Sequence, residues 1–329
     1  MRAITYSAFG AAEDVLTLAD LPDPTPGPGE VRVQLKTSGV NPSDVKARAG
    51  GRPGVTAPPF PVIIPQSDGA GIIDAVGDGV DKARIGQRVW VWNGQWQRAF
   101  GTAAEIITLP AAQAVALPDN VSFAHGATLG IPGMTAVHTV LGGGPVAGKT
   151  VLISGAAGTV GHLAVQVAAQ SGALVIATAR GAEGHRAAKA AGAAYVFDFT
   201  SETLAEDILE ATSGKLIDRI VEVEFGQNIA TNTALIAPGG TIAAFGSAKD
   251  MTPVLPFYPL MFKAVTLDLA LVYLLSPAQR TAATATLTDL LTRDALQIRI
   301  GGTFALSHCA AAHALVESGK NKGSVIVEI

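Results

Sequence analysis

The 329-residue chain predicts an α/β protein in two parts: a β-rich domain, then a doubly wound parallel sheet of six strands. Three observations predict it. Residues 1–118 read as closely spaced short strands with no helical period between them. From 150 to 272 strands and helices alternate without a break. The first strand-to-helix junction of that series is a glycine-rich turn, GAAGTVG at 155–161. Strict β–α alternation implies parallel strands covered by helices on both faces. Short strands punctuated by Gly and Pro imply an antiparallel or barrel-like domain.

In the first part, Val31, Val33 and Leu35 alternate with Arg32, Gln34 and Lys36, the period of two of a half-buried strand. GIIDAVG at 71–77 and the segments 88–92 and 105–109 predict further strands. PDPTPGPGE at 22–30 and GRPGVTAPPFP at 51–61 predict loops. The texture changes near Ser122, where an Ala/Leu-rich segment begins. Strands are then predicted at 151–154, 174–178, 195–199, 217–223, 241–246 and 264–272. Helices are predicted at 159–170, up to Gly192, at 202–212 and at 228–236. A helix at 277–292, a strand near 298–304, a helix capped by Ser307 and a last strand at 325–329 predict that the tail folds back onto the first domain. The expected division is 1–121, 122–272 and 273–329, the last segment completing the first domain.

Composition excludes several classes. Hydrophobic residues make up 48% of the chain, enough for a sizeable core and too many for a disordered chain. Only 15% of residues are charged, which raises the question of a membrane. The best candidate, 264–275, is shorter than the roughly 18 residues a span needs and carries Asp268. A net charge of −4 with no long run of either sign offers no footprint for nucleic acid or anionic lipid. The single Cys309 excludes an internal disulfide and a cysteine-rich zinc site. MRAITYSAFG lacks the apolar core of a secretory signal. The expectation is a cytoplasmic protein.

VLISGAAGTVG at 151–161 is the most informative segment, reading A-x-G-x-x-G at Ala156, Gly158 and Gly161 between strand and helix. A dinucleotide needs a tight turn, then a residue without Cβ where the backbone meets the pyrophosphate, then a small residue where helix packs on strand. Gly158 suits the close approach and Gly161 the packing. The amides of Ala157, Gly158, Thr159 and Val160 would point at the phosphates from the helix N-terminus. An acid about 20 residues on would select NAD. Here ATARGAEGHR at 177–186 places Arg180 after the strand, with no acid before Glu183. A guanidinium suits a 2′-phosphate, so NADPH is the expected cofactor.

The opening MRAITYSAFG, SGVNPSD at 38–44, SDGAGIIDAVGDGV at 67–80, GIPGMTA at 130–136, the GAAGTVG turn, FGS at 245–247 and the closing GKNKGSVIVEI together resemble a medium-chain dehydrogenase/reductase, most closely the zinc-free quinone oxidoreductases of the zeta-crystallin group. The resemblance spans essentially the whole chain. It implies a GroES-like β-rich domain, made of N- and C-terminal segments, against a Rossmann domain, with the cofactor in the cleft between them.

The resemblance also implies site residues. Asn41 in GVNP matches a residue beside the nicotinamide that hydrogen-bonds its ribose or the substrate carbonyl. Thr135 matches a threonine near the nicotinamide, and Ala157, Gly158, Thr159, Val160 and Gly161 match the pyrophosphate turn. Arg180 falls at the adenosine phosphate and Phe199 beside the adenine. Phe245, Gly246 and Ser247 match the loop over the nicotinamide ribose, and Ala270, Leu271 and Val272 the strand whose backbone meets the carboxamide. Lys322 reaches a phosphate, or is a surface lysine. The catalytic zinc ligands of zinc-dependent relatives align with Asn41, Ser67 and Ile131, which are not a plausible zinc set, so no metal is expected. Lys46 stands where the zeta-crystallin pattern has a tyrosine; it can donate to a carbonyl or a phosphate but cannot stack. WVWNGQW at 90–96 holds all three tryptophans, which line an aromatic cleft or fill strand core.

The leading expectation is an NADPH-dependent quinone oxidoreductase with Asn41 and Lys46 as catalytic residues. The alternatives are a reductase of the carbon–carbon double bond of enals and enones and, from another class, a non-catalytic NADPH-binding or RNA-binding protein. The apolar segment 264–272 at the sheet edge predicts a homodimer.

Overall fold

Residues 1–51 and 54–329 are described by the computed structural model; Arg52 and Pro53, inside the loop expected at 51–61, lie outside the described residues. The chain forms two compact units, Met1–Ile131 with Ile298–Ile329, and Pro132–Gln297.

The first unit is built on a seven-stranded sheet organised around the long strand Glu30–Val40. Asp68–Val76 pairs along one edge of that strand. Ile106–Pro110 and then Ser324–Glu328 take successive halves of the other. Val31, Val33 and Leu35 are buried as their alternation predicts, against Ile73, Val89, Ile107 and Leu109. The tail therefore enters this unit through main-chain pairing, Val327 opposite Ser38, with Ile300–Ala305 parallel beside it. A separate two-stranded sheet joins Arg2–Thr5 to Thr17–Asp20.

The second unit is a parallel six-stranded sheet in the order Tyr195–Phe197, Leu174–Thr178, Thr150–Ile153, Ile217–Glu222, Ile236–Ala244, Thr266–Leu269. In sequence terms this is 3-2-1-4-5-6, the doubly wound order in which ligands bind where the winding reverses. That point lies between Thr150–Ile153 and Ile217–Glu222. Thr150–Ile153 is buried along its whole length, as a central strand with both faces covered must be. The architecture is the expected GroES-like β-rich unit plus a Rossmann sheet.

Several boundaries differ from the sequence reading. Residues 122–131 belong to the first unit because Phe123–Gly126 packs on the long strand: Thr37 Oγ1 donates to the Phe123 carbonyl at 2.7 Å. The helix Pro277–Thr292 stays with the second unit, where it packs on Met134–Leu141 and buries Ala283, Leu287, Leu290 and Leu291. The edge strand expected at 264–272 is only Thr266–Leu269, so Ala270, Leu271 and Val272 lie past its end, Val272 opening a short 3-10 turn. The Ala270 amide still donates to the Ala244 carbonyl at 2.8 Å. Ser307 does not cap a helix; it lies inside the 3-10 turn Leu306–His308, and His308 precedes Cys309–Glu317. No described helix is long and apolar enough to cross a membrane.

Candidate active site

In the parallel-sheet unit, the helix Thr159–Gln170 starts at Gly158 without a side-chain cap. The first-turn N–H groups of such a helix have no intrahelical acceptor, and Gly158 has no side chain to supply one. An anion would supply it. The turn is close-packed where the motif requires. A Cβ on Gly161 would sit 2.3 Å from the Gly155 carbonyl oxygen, whereas one on Gly158 would sit 3.3 Å from the same atom. Gly158 is exposed and Ala157, Thr159 and Val160 are half-buried, so this rim faces outward. These features fit a dinucleotide pyrophosphate.

Around it the structure brings some expected residues together. Arg180, exposed at the start of Gly181–Ala190, lies with its guanidinium carbon 6.0 Å from the centre of the Phe199 ring. The two residues expected at the adenosine end are therefore neighbours. Phe245, Gly246 and Ser247 leave the end of Ile236–Ala244 and are held to the neighbouring strand. The Phe245 amide donates to the Glu222 carbonyl at 3.0 Å, and the Phe225 amide donates to the Gly246 carbonyl at 2.9 Å. Ser247 Oγ accepts from the Gly226 amide at 2.8 Å and donates to the Asp250 carbonyl. Its hydroxyl is committed to shaping the loop. Thr135 is buried in Met134–Leu141, and its carbonyl accepts from Thr139 Oγ1 at 2.8 Å.

In the β-rich unit, Asn41 and Lys46 share the helix Pro42–Arg48, which Asn41 precedes. Lys46 is exposed and Asn41 is buried. Asp44 Oδ2 accepts from the Asn41 amide at 2.8 Å, fixing the helix start. The Asn41 side chain donates from Nδ2 to Asp68 Oδ2 at 2.9 Å, and the Ile131 amide donates to the same oxygen at 2.9 Å. Asp68 is fully buried and its Oδ1 has no hydrogen-bond partner. Burial holds this carboxyl well above the usual carboxylate range, against the pull of the Ile131 amide. A Cβ on Gly130 would fall 2.2 Å from Asp68 Oδ1, so the glycine makes room for the acid. Lys322 is exposed just before the strand Ser324–Glu328.

Residues at 41, 67 and 131 are thus gathered around a buried carboxyl. The set there (a carboxamide, a serine hydroxyl and a main-chain amide on an isoleucine) lacks the thiolate and imidazole ligands of a zinc site, so it does not fit zinc. Among the described residues no group of three or more His, Cys, Asp or Glu side chains is placed to hold a metal.

Sequence reasoning sees in Asp68 a lone carboxylate next to the positions that align with zinc ligands, and foresees neither its hydrogen-bonded hub nor the buried cluster beside it. Gln66, in a left-handed conformation at φ 74°, lies 3.3 Å from Cys309 Sγ and 3.2 Å from His313 Nε2 through its own Nε2. Burial pushes the Cys309 thiol up to about 12 and the His313 imidazole down to about 3. Both are neutral at physiological pH, so this cysteine–histidine pair is structural rather than nucleophilic. The visible signal for the hub was an acid, Asp68, at the head of the apolar strand DGAGIIDAV.

Two family profiles match, one described as an alcohol dehydrogenase GroES-like domain over residues 27–119 and one as a zinc-binding dehydrogenase over residues 159–290. A quinone oxidoreductase of Pseudomonas aeruginosa is 30% identical over 334 residues, covering 99% of both chains. The quinone oxidoreductase of Rattus norvegicus is 32% identical over 249 residues, covering 75% of this chain and 73% of that one. Among solved structures, a mycobacterial protein complexed with NADPH superposes with a TM-score of 0.87 at 29% identity, covering 100% of both chains. A quinone oxidoreductase of Pseudomonas syringae superposes with a TM-score of 0.86 at 31% identity, covering 100% of this chain and 99% of that one. With this fold and a 30% identical quinone oxidoreductase matched over 99% of its length, the chain belongs to the quinone oxidoreductase family of medium-chain dehydrogenases/reductases and is an oxidoreductase.

Proposed function

We propose that this protein is an NADPH-dependent quinone oxidoreductase that works without zinc. The observation that carries the cofactor choice is the pairing of an uncapped, glycine-lined helix start with Arg180 over Phe199. The name and the NADPH of the relatives point the same way. When bound, NADPH supplies the reducing equivalents. Thr159, Val160 and Gly161 would hold its pyrophosphate with their amides, with Ala157 and Gly158 shaping the approach. Arg180 would hold the 2′-phosphate and Phe199 would flank the adenine. Phe245, Gly246 and Ser247 would border the nicotinamide ribose, with Thr135 and the backbone of Ala270, Leu271 and Val272 near its carboxamide; Lys322 would reach a phosphate. Asn41 has one amide hydrogen committed to Asp68; its second is free in valence to donate to an acceptor carbonyl. Lys46, exposed one turn on, would be a second donor to that carbonyl, and a cationic one.

The decisive measurement is NADPH oxidation with an ortho-quinone and with a simple enal, each repeated with NADH. Turnover of the quinone with NADPH is the expected result, and turnover of the enal alone would make this a double-bond reductase. Arg180→Glu is expected to lower kcat/KM for NADPH by about tenfold to a hundredfold and that for NADH by less than about threefold. Equal losses would remove Arg180 from the 2′-phosphate.

We also propose a homodimer. Thr266–Leu269 is an unpaired sheet edge, and around it Val254, Phe262 and Leu269 are 89%, 80% and 73% exposed. Apolar exposure on this scale at a strand edge suits a second copy. A monomer in sedimentation at micromolar concentration would refute it.

A further inference from the structure

A central strand of a parallel sheet, covered on both faces, is ordinarily apolar. The strand Ile217–Glu222 departs from that rule at Arg219, which is 4% exposed among the buried Ile217, Ile220 and Val221. Its guanidinium reaches over the sheet towards the edge strand Thr266–Leu269, where Nη2 lies 3.7 Å from Asp268 Oδ2. His138, from the helix Met134–Leu141, brings its Nε2 within 3.6 Å of the same oxygen. Glycines make room for both side chains. A Cβ on Gly142 would fall 2.7 Å from His138 Nδ1, and one on Gly143 would fall 2.3 Å from Arg219 Nη1.

The same guanidinium is tied to the helix. Arg219 Nε donates to the Thr139 carbonyl, and Thr139 Oγ1 donates to the Thr135 carbonyl at 2.8 Å. Two residues past Asp268, the Ala270 amide holds the chain to the Ala244 carbonyl at 2.8 Å, ahead of the turn Val272–Leu274. One buried side chain therefore joins the central strand, the helix bearing Thr135 and the edge strand leading into residues 270–272. Stability alone does not call for it. Desolvating two charges offsets most of their attraction, and apolar residues of similar volume do as well or better. Burial keeps the His138 imidazole below its ordinary value, against the pull of Asp268, so Arg219 is the charge that Asp268 answers. Arg219 Nη2 has no hydrogen-bond partner, which leaves the carboxylate to offset it. What a guanidinium adds over an apolar side chain is direction, because its planar fork holds its partners at set angles.

Resting on the cofactor reading above, which puts Thr135 and the backbone of residues 270–272 near the carboxamide, we infer that Arg219 and Asp268 are positioning residues for the nicotinamide end of the cofactor. The pair sets the spacing between the helix Met134–Leu141 and the strand Thr266–Leu269. On that reading the carboxamide is met by the groups these two elements carry. Both residues act through what they hold: Arg219 on Thr135 by way of Thr139, and Asp268 on the end of its own strand. The adenosine end is built elsewhere, on the turn at 155–161 and on Arg180 with Phe199, so its affinity is independent of the pair. A displacement of about 1 Å in groups that orient a ligand is enough to cost up to about a hundredfold.

The test is calorimetric titration with NADPH and with 2′-phospho-ADP-ribose, which keeps the adenosine end and lacks the nicotinamide, beside thermal melts of each protein. Asp268→Asn removes the charge at constant size and leaves Arg219 unpaired, so Tm is expected to fall. Its NADPH affinity is expected to drop about fivefold to fiftyfold, with that for 2′-phospho-ADP-ribose within about twofold of wild type. Arg219→Met combined with Asp268→Asn leaves no unpaired charge, so Tm is expected to recover. The NADPH deficit is expected to remain in that double variant, because nothing then ties the helix to the edge strand. NADPH affinity that recovers together with Tm would make the pair structural only and overturn the positioning role. An Asp268→Asn protein that weakens both ligands alike, or neither, would overturn it too, leaving the cofactor reading intact. A wild-type protein that binds neither ligand would remove the reading beneath it.

Discussion

The two candidate sites, one in each unit, are made from different material. The turn at 155–161 is main chain: what it offers a ligand is N–H groups, and what its sequence supplies is the absence of side chains where the backbone must come close. The cluster at Asp68 is side chain: its bonds span 27 residues to Asn41 and 63 to Ile131, and only the sheet register brings the partners together. Asp68 lies opposite Gly39 in the ladder with Glu30–Val40, so the strand that ends at Val40 delivers Asn41 beside it. A site of backbone is specified locally and fails when an atom is added. A site of side chains is specified by topology and fails when an atom is removed.

The largest expected effect tests the first half of that contrast. Gly161→Val would place a Cβ in the Gly155 carbonyl. Helix and turn would have to separate, at a cost of several kcal/mol. NADPH affinity is expected to fall by more than about a hundredfold, with a clear drop in melting temperature. Gly158 has an ordinary extended backbone, φ −76° and ψ 168°, and a methyl there would lie 3.3 Å from the Gly155 carbonyl oxygen, a tight contact that a shift of a few tenths of an ångström relieves. Gly158→Ala is therefore expected to cost far less stability than Gly161→Val and to weaken NADPH about tenfold, because the methyl stands where the pyrophosphate would approach. Fluorescence titration and calorimetry on the pair decide it. A Gly158→Ala protein as unstable as Gly161→Val would mean that both glycines serve packing.

The same contrast explains what the sequence showed. The helix Thr159–Gln170 and the helix Pro277–Thr292 begin where their local signals put them, the second at a Ser276/Gln279 capping box followed by proline. The six-stranded parallel sheet followed from alternation, because parallel strands need a crossover each time. What was not legible depended on partners far along the chain. Hydrophobicity runs on through Ala270–Val272, yet the ladder with Ile236–Ala244 ends at Leu269, because a strand lasts as long as its neighbour, not as long as its apolar run. Ser307 has the chemistry of a cap but sits one residue early, where the chain first makes a 3-10 turn. The end of the second unit at Gln297 is set by what Pro277–Thr292 packs on, which no local texture reveals. Asp68 is the clearest case: the acid was visible, but its burial and its two donors are properties of the register.

Asp68 supplies the smaller and more discriminating test. Asp68→Ala leaves the Asn41 carboxamide and the Ile131 amide without their shared acceptor, and a buried donor stranded in this way costs about 1–3 kcal/mol. The fold has a seven-stranded sheet to absorb that, so the readout is function. Quinone turnover is expected to fall about tenfold to a hundredfold through a freed Asn41, while NADPH affinity stays within about twofold. Asp68→Asn separates positioning from charge. Burial favours the neutral acid at this position, and Oδ2 already accepts two hydrogen bonds, which leaves Oδ1 to carry the proton. An asparagine reproduces that pattern, with its oxygen at Oδ2 and its amide at Oδ1. Activity near wild type for Asp68→Asn, beside a crippled Asp68→Ala, is the expected outcome of steady-state kinetics on the three proteins. If asparagine is as damaging as alanine, the carboxylate charge is what the acceptor feels, and the Asp68 cluster works by electrostatics rather than by holding Asn41 still.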